Sequence, residues 1–401
     1  MEMKKYKLGD IADINKQTLS KKDSMDVIEY LDTGSLTENI FGPKQVLSRK
    51  EAPSRAQRRV FDKTILYSTV RPRLKHYGFL ESPKENTIVS TGFATIDVKD
   101  EFKNVIDARY LYLLLIQDKV TEYLGTIADT AVSAYPSLNP SDIQSLEFEF
   151  PDMPIQKKVA SFLCNIDKRI ENLRAQNRVL EQTAKTIYDY TFLQCAGHQT
   201  TYNKTLNRNI PADWEIDNLY RIADFTNGLA CQKYRPITEK EKLPVIKIRE
   251  MHDGVTADTE FVKSDIPEKV IVNPGDLLFS WSASLEVMMW NGVKGGLNQH
   301  IFKVTPKEYF SLYYVYFQLK DYIGNFKRMA EARKTTMGHI TTDHLNQSRI
   351  AIPNEETMKR FSSQITPLFK KQLVNSQQIE ALTTQRNTLL PLLMNGQIEV
   401  E

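Results

Sequence analysis

The chain repeats itself, and the order of the repeated pieces limits the folds open to it more than any other feature. Leu8-Gly9-Asp10-Ile11-Ala12-Asp13 near the start answers to Leu219-Tyr220-Arg221-Ile222-Ala223-Asp224 near the middle. Thr64-Ile65-Leu66-Tyr67-Ser68 answers to Asp276-Leu277-Leu278-Phe279-Ser280. The run from Ile143 through Phe148 to Phe150-Pro151 answers to that from Leu345 through Ile350 to Ile352-Pro353. Each match is weak alone. Their shared order implies a tandem duplication of a unit of about 200 residues, too long for a solenoid repeat.

Each unit has two parts. In the first part, alternating stretches at Lys63–Thr69, Thr91–Val98, Val245–Ile248 and Ile301–Val304 predict strands. Apolar positions at helical spacing predict helices over Ala108–Leu124 and Lys307–Lys327. Turn signals such as Asn273-Pro274-Gly275-Asp276 lie between them. This is the pattern of an α+β domain with irregular loops.

The second part is a long helix. Asp152 and Asn354 stand after prolines as N-caps, and Glu355 and Glu356 suit a first helical turn. Ile166, Ile170, Leu173 and Leu180 in one segment, and Leu368, Ile379 and Leu382 in the other, recur at nearly heptad spacing. Asn177, Gln372, Asn375 and Arg386 interrupt those seams. Gly197 and Gly396 mark the ends, and Pro391 is expected to kink or end the second helix a turn early. Two helices of about 40 residues, roughly 60 Å each, fit either core helices under their own domains or an antiparallel coiled coil. The second arrangement is preferred, because the first helix must return the chain to the second domain. It implies approximate two-fold symmetry between the repeats.

Composition narrows the function. The 53 Lys and Arg residues against 50 Asp and Glu leave a net charge of +3, so a polycation is excluded and any nucleic-acid surface is a local patch. Cys164, Cys195 and Cys231 are odd in number and widely spaced, which fits a reducing cytoplasm rather than a disulfide framework. The N-terminus lacks the apolar core of a signal peptide. There is no phosphate loop, no dinucleotide-binding glycine pattern and no nucleophile elbow. His339 and His344 lack the spacing of paired helical metal ligands. No catalytic residue, metal ligand or bound cofactor is expected in this chain.

What remains is a set of polar, basic and aromatic loops at matching places. Arg71, Arg73, Lys75, His76 and Tyr77 follow the strand that ends at Ser68. Two guanidiniums and an ammonium so close together suit phosphate and guanine contacts. Ser280, Trp281, Ser282 and Ser284 occupy the matching place in the second unit, with Asn298, Gln299 and His300 following. Asn and Gln can pair with adenine. Arg333 and Lys334 form a further basic pair, as do Lys327 and Arg328, and Arg49, Lys50, Arg55, Arg58 and Arg59 form a basic stretch. On residues alone, these loops fit a solvated surface as well as a nucleic-acid reader.

The layout resembles the specificity subunit of type I restriction-modification systems. The resemblance rests on the Leu8–Asp13 opening, on Tyr67-Ser68-Thr69-Val70-Arg71-Pro72, and on Gly275–Ser282. Leu297-Asn298-Gln299-His300-Ile301, the run from Phe150-Pro151 through Gln156 to Val159-Ala160, and the tail Leu392–Ile398 carry the rest. Met358 stands where the first repeat has Gln156, a departure from the pattern. The resemblance implies two target recognition domains, at 1–151 and 198–353, and two spacer helices, at 152–197 and 354–401. Each domain would read one half of a bipartite site on double-stranded DNA. The helices, through Ile166, Ile170, Leu173, Leu180, Leu368, Ile379 and Leu382, would hold two methyltransferase subunits. Those subunits would carry S-adenosylmethionine and methylate adenine N6, and a motor-nuclease subunit can join to give restriction. A scaffold that joins partner subunits without reading DNA is the competing reading.

Overall fold

The computed structural model describes residues 3–20, 23–130, 136–236, 241–256, 258–282, 284–332 and 342–400, with backbone alone at 330–332. The chain divides into two compact units. One holds Met1–Arg169 with Leu382–Glu401, and the other holds Ile170–Ala381.

In the first unit, strand Lys4–Lys7 pairs antiparallel with Glu147–Phe150, bringing both ends of the α+β domain together. One four-stranded sheet runs in the order Ala12–Ile14, Phe93–Val98, Ile65–Ser68, Tyr77–Phe79. All four residues of Ile65–Ser68 are buried, as expected of a strand covered on both faces. The other sheet runs Gln45–Ser48, Val27–Leu31, Thr87–Ser90, Ala56–Arg59, with one parallel pairing, Val27–Leu31 beside Thr87–Ser90.

The second unit repeats this plan. Glu215–Asp217 pairs with Ile350–Ile352. The first sheet runs Ala223–Asn227, Ile301–Pro306, Leu277–Ser280, Glu286–Met289. The second runs Phe261–Lys263, Lys242–Ile246, Gly295–Leu297, Ile271–Val272, again with one parallel pairing at its centre. The strands expected from alternation are present, and so is the duplication, but the strand expected over Val245–Ile248 lies at Lys242–Ile246, and Ile248 opens a short helix, Ile248–Asp253.

Besides the helix expected over Lys307–Lys327, which lies at Leu312–Ala332 after a turn in which Glu308 has left-handed backbone (φ 48°), the helical readings need two corrections. The helix expected over Ala108–Leu124 is two helices, Ala108–Leu115 and Asp118–Asp129. Gln117 between them is extended (φ −63°, ψ 141°) and buried; apolar spacing continues through such a break, and no glycine or proline marks it. The second correction concerns Pro391. The long helix Glu355–Met394 passes through both Pro367 and Pro391. A proline removes one backbone donor. Leu390, Leu393 and Met394 are nevertheless buried in the core of the first unit, which holds the last turn in place.

The other long helix covers Met153–Tyr188. It ends in a wider turn, Asp189–Leu193, in which the Gln194 amide donates to the Asp189 carbonyl (2.8 Å). That turn places Phe192 against Tyr314 (ring centroids 4.7 Å) and Phe361 (4.8 Å). Within the second unit the two helices run antiparallel, since Asn177 meets Ser376 (3.1 Å) while Tyr188 lies against Phe361. Within the first unit, Asp167 faces Arg386 (3.3 Å). Asn354 caps its helix as expected, accepting from the Thr357 amide (2.9 Å).

The departure at Gln156 has a packing cause. Its carboxamide accepts from the Asp107 amide (2.9 Å) and donates to the carbonyls of Val105 (2.8 Å) and Pro151 (2.7 Å). Met358 instead fills an apolar cluster with Phe361 and Ile365.

Candidate nucleic-acid interface

In both units the polar loop connects two neighbouring strands of the first sheet. In the first unit it runs from Thr69 to His76, between Ile65–Ser68 and Tyr77–Phe79. Two non-glycine residues with left-handed backbone, Arg71 (φ 48°) and Lys75 (φ 56°), bracket a single tight turn, Pro72–Leu74. The Arg71 amide donates to the Pro136 carbonyl (3.0 Å), and its side chain is exposed. Arg73 lies across the helix Asp118–Asp129, donating to Glu122 (2.9 Å) and Asp129 (2.6 Å). Lys75 pairs with Asp118 (2.9 Å) and Glu38 (3.5 Å). The His76 ring sits 2.6 Å from the Leu36 carbonyl and 3.1 Å from the Thr37 hydroxyl.

In this unit two residues expected to face DNA are buried instead. The Ser68 hydroxyl is buried and donates to the Val70 carbonyl (2.8 Å), closing the turn after the strand. Tyr77 is 5% exposed, stacked on Tyr67 at 6.0 Å and edge-on to Tyr112. Burial pushes its phenol well above the usual range. A tyrosine just after a basic loop looks like a base-stacking residue in sequence, but here it opens the next strand with its ring inward.

In the second unit the loop between Leu277–Ser280 and Glu286–Met289 is short. Ser280 is fully buried and donates to the Ser284 carbonyl (2.6 Å). Ser282 is buried as well, and Ser284 is exposed. Ser280 and Ser282 therefore shape the loop from inside. Trp281 is half-buried; its indole N–H donates to Asn227 Oδ1 (3.1 Å), and its ring lies 5.7 Å from His300. Asn298 is buried and accepts from the His300 amide (3.2 Å), so its carboxamide is committed to the chain and cannot pair with adenine in this conformation. Gln299 is partly exposed, although its Oε1 is buried without a partner. His300 is exposed. Arg333 and Lys334 lie outside the described residues.

Sequence reasoning missed Asn227, exposed at the end of the strand that neighbours Ile301–Pro306, and Gly228 after it. A Cβ at Gly228 would stand 2.2 Å from the Asn298 carbonyl oxygen. The Asn-Gly dipeptide was the available signal, and it reads as an ordinary turn. The basic stretch of the first unit is partly consumed by the fold. The Arg49 guanidinium caps the carbonyls of Ser20 and Asp23, and Arg59 reaches Asp23 (3.4 Å).

Of the helical residues expected to hold partners, Ile170 and Leu173 are buried within the chain, at 7% and 1% exposure. They are seam residues, which heptad spacing cannot distinguish from a partner-facing stripe. Ile166, Leu180, Leu368, Ile379 and Leu382 are half-buried, while Val179 and Val374 are exposed apolar residues on the same helices.

Among the described residues no group of three or more His, Cys, Asp or Glu side chains could hold a metal ion. No described helix is long and apolar enough to cross a membrane. A sheet pair present twice, each copy carrying a polar loop and joined to a long helix, is the build of a tandem recognition protein. The model of the type I restriction modification DNA specificity domain matches residues 1–182 and 211–384. The chain belongs to this family, whose members recognise DNA, are not themselves catalytic, and assemble with other subunits. The type I restriction enzyme HindI specificity subunit of Haemophilus influenzae is 23% identical, covering 99% of this chain and 100% of that one. The MjaIX specificity subunit of Methanocaldococcus jannaschii is 27% identical, covering 86% of this chain and 79% of its own. A crystal structure of a type I restriction-modification S subunit from M. genitalium aligns over 98% of this chain and 96% of its own, with a TM-score of 0.59 and 15% identity. That last likeness concerns the fold.

Proposed function

We propose that each α+β domain, bounded near 1–151 and 198–353, reads one half of an asymmetric bipartite site on double-stranded DNA. The two long helices hold two methyltransferase subunits that carry S-adenosylmethionine and methylate adenine N6, and a restriction subunit joins where the host supplies one. The complex works in the cytoplasm. The observation that carries the reading is the matched pair of loops. They occupy the same connection of the same sheet, and one is tipped by Arg71, Arg73, Lys75 and His76, the other by Trp281, Ser284 and, beside it, Gln299 and His300. Equal scaffolds with unequal tips suit two half-sites of unequal sequence. A scaffold that reads no DNA would need no such divergence at one matched place. For the partner surface, the exposed Val179 and Val374 are better placed than the buried Ile170 and Leu173.

The test is an exchange of residues 217–350 for the equivalent part of a relative, followed by genome-wide mapping of N6-methyladenine. One half-site should change and the other persist. A change in both halves, or in neither, overturns the two-reader model.

A further inference from the structure

Arg73 is engaged by the surrounding structure at three points. Its Nε donates to Glu122 (2.9 Å), one terminal nitrogen to Asp129 (2.6 Å) and the other to the Thr126 hydroxyl (3.4 Å). Glu122, Thr126 and Asp129 share one face of the helix Asp118–Asp129, at positions i, i+4 and i+7. Gly125 lies in the middle of that face. A Cβ there would stand 2.7 Å from Arg73 Cζ and 2.9 Å from both its Cγ and its Nε, so the side chain lies flat in the space the glycine leaves. One exposed ion pair would fix little. Two carboxylates and a hydroxyl converging on a planar fork fix an orientation.

The loop needs such a fixture. Arg71 and Lys75 both adopt the left-handed region, which non-glycine residues hold only when their surroundings impose it. Arg73 sits between them in the turn Pro72–Leu74. Lys75 is tied to the start of the same helix through Asp118. The helix thus grips the loop at two points just after Arg71, which is exposed.

We infer that Arg73 is a positioning residue: clamped over Gly125 by Glu122 and Asp129, it holds the backbone that presents Arg71 to DNA, and it does not itself touch the duplex. The inference rests on the reading of this loop as a DNA reader. The opposite use of the same contact is release of Arg73 from its carboxylates to a phosphate when DNA arrives, and the two uses predict opposite signs.

The experiment measures binding of the full chain, purified with its own partner subunits, to a duplex bearing its mapped site, over a range of salt. Arg73→Ala, Arg73→Lys and Gly125→Ala should each lose about five- to a hundredfold in affinity, the worth of a misplaced base contact. The slope of log affinity against log salt should stay unchanged. Glu122→Gln combined with Asp129→Asn should also weaken binding, although it removes negative charge. Thermal unfolding of each variant checks that the domain remains folded. If Arg73 met a phosphate, Arg73→Ala would lower the slope by about 0.9, Arg73→Lys would be nearly silent, and the Glu122–Asp129 double variant would bind more tightly. Any of those three results overturns the inference. Arg71→Ala separates it from the reading beneath: full affinity in that variant would remove the loop from DNA recognition altogether.

Discussion

The two units build the same sheets and fill them differently, and the differences fall at three matched places. The first is the loop tip. In one unit Arg73 and Lys75 are tied to an acidic helix face, and in the other Trp281 is held by Asn227. The second is a polar pair at the other end of the central strand, buried in the first unit and half-buried in the second. Thr64 accepts from the Phe61 amide (2.9 Å) and donates to Asp97. At the matching position Asp276 accepts from the Asn273 amide (2.7 Å) and pairs with Lys303 (2.8 Å). The third is the seat of the long helices, where Val159, Leu163, Leu390 and Leu393 make an aliphatic core in the first unit. In the second unit Tyr188, Phe192, Phe361 and Phe369 make an aromatic one. The lesson is that strand order and the turn before the central strand are held constant, while whatever projects from them can change chemistry.

The largest expected effect tests the third difference. Tyr188 is fully buried, 5.0 Å from Phe317 and 5.4 Å from Phe192 between ring centroids, and it accepts from Gln318 (2.5 Å). Tyr188→Ala should cost about 3–5 kcal/mol. Leu163→Ala, the aliphatic counterpart, removes a smaller side chain and should cost less, nearer about 2–3 kcal/mol. Urea unfolding followed by near-ultraviolet circular dichroism measures both. Equal losses would mean that the aromatic seat contributes no more than the aliphatic one, despite its larger side chain.

Much of this comparison was legible in the sequence. The repeated Thr64–Ser68 and Asp276–Ser280 runs located the central strand of each unit, because a fully buried strand reads as continuous apolar residues. Heptad spacing located both long helices. The direction of individual side chains was not legible. Tyr77 and Arg73 look alike as members of a basic-aromatic loop, and only the fold shows one stacked in the core and the other laid over Gly125. The break at Gln117 and the helical Pro391 escaped for a related reason: tertiary packing decides them, and neither has a local mark.

The second difference gives the next effect. Lys303 and Asp276 have side chains only 17% and 25% exposed. Asp276→Asn keeps an acceptor for the Asn273 amide but removes the charge facing Lys303, which retains the Ile271 carbonyl (2.9 Å). A hydrogen bond between charged groups contributes about 1.5–3 kcal/mol, so this variant should lose about that much at neutral pH. An unchanged unfolding midpoint would show that the pair is dispensable and weaken the parallel with Thr64 and Asp97.

The smallest effect has the opposite sign and comes from the first unit. Asp97 carries no cationic partner of the kind Asp276 has. Its Oδ1 accepts from Thr64, while its Oδ2 is buried with no partner. Burial raises the carboxyl above its ordinary 3.8, and only in part do the Thr64 hydrogen bond and the more distant charges of Lys16 and Lys103 counter this; Asp13 adds to the rise. A carboxyl raised in the folded state holds its proton at pH values where the unfolded chain has already lost one. Between the ordinary and the raised value, the folded chain therefore binds more protons, and stability falls as pH climbs through that window. Above the window the penalty is constant, and below it the penalty vanishes. Asp97→Asn removes the ionisation while keeping an acceptor for Thr64. It should stabilise the chain at pH 7 by up to about 1 kcal/mol and lose that advantage as pH drops toward 3.8. Unfolding midpoints of the variant and the parent, measured at several pH values, decide. A variant less stable than the parent at pH 7, with the gap closing in acid, would mean that the ionised Asp97 is stabilised in the fold, as Asp276 is by Lys303.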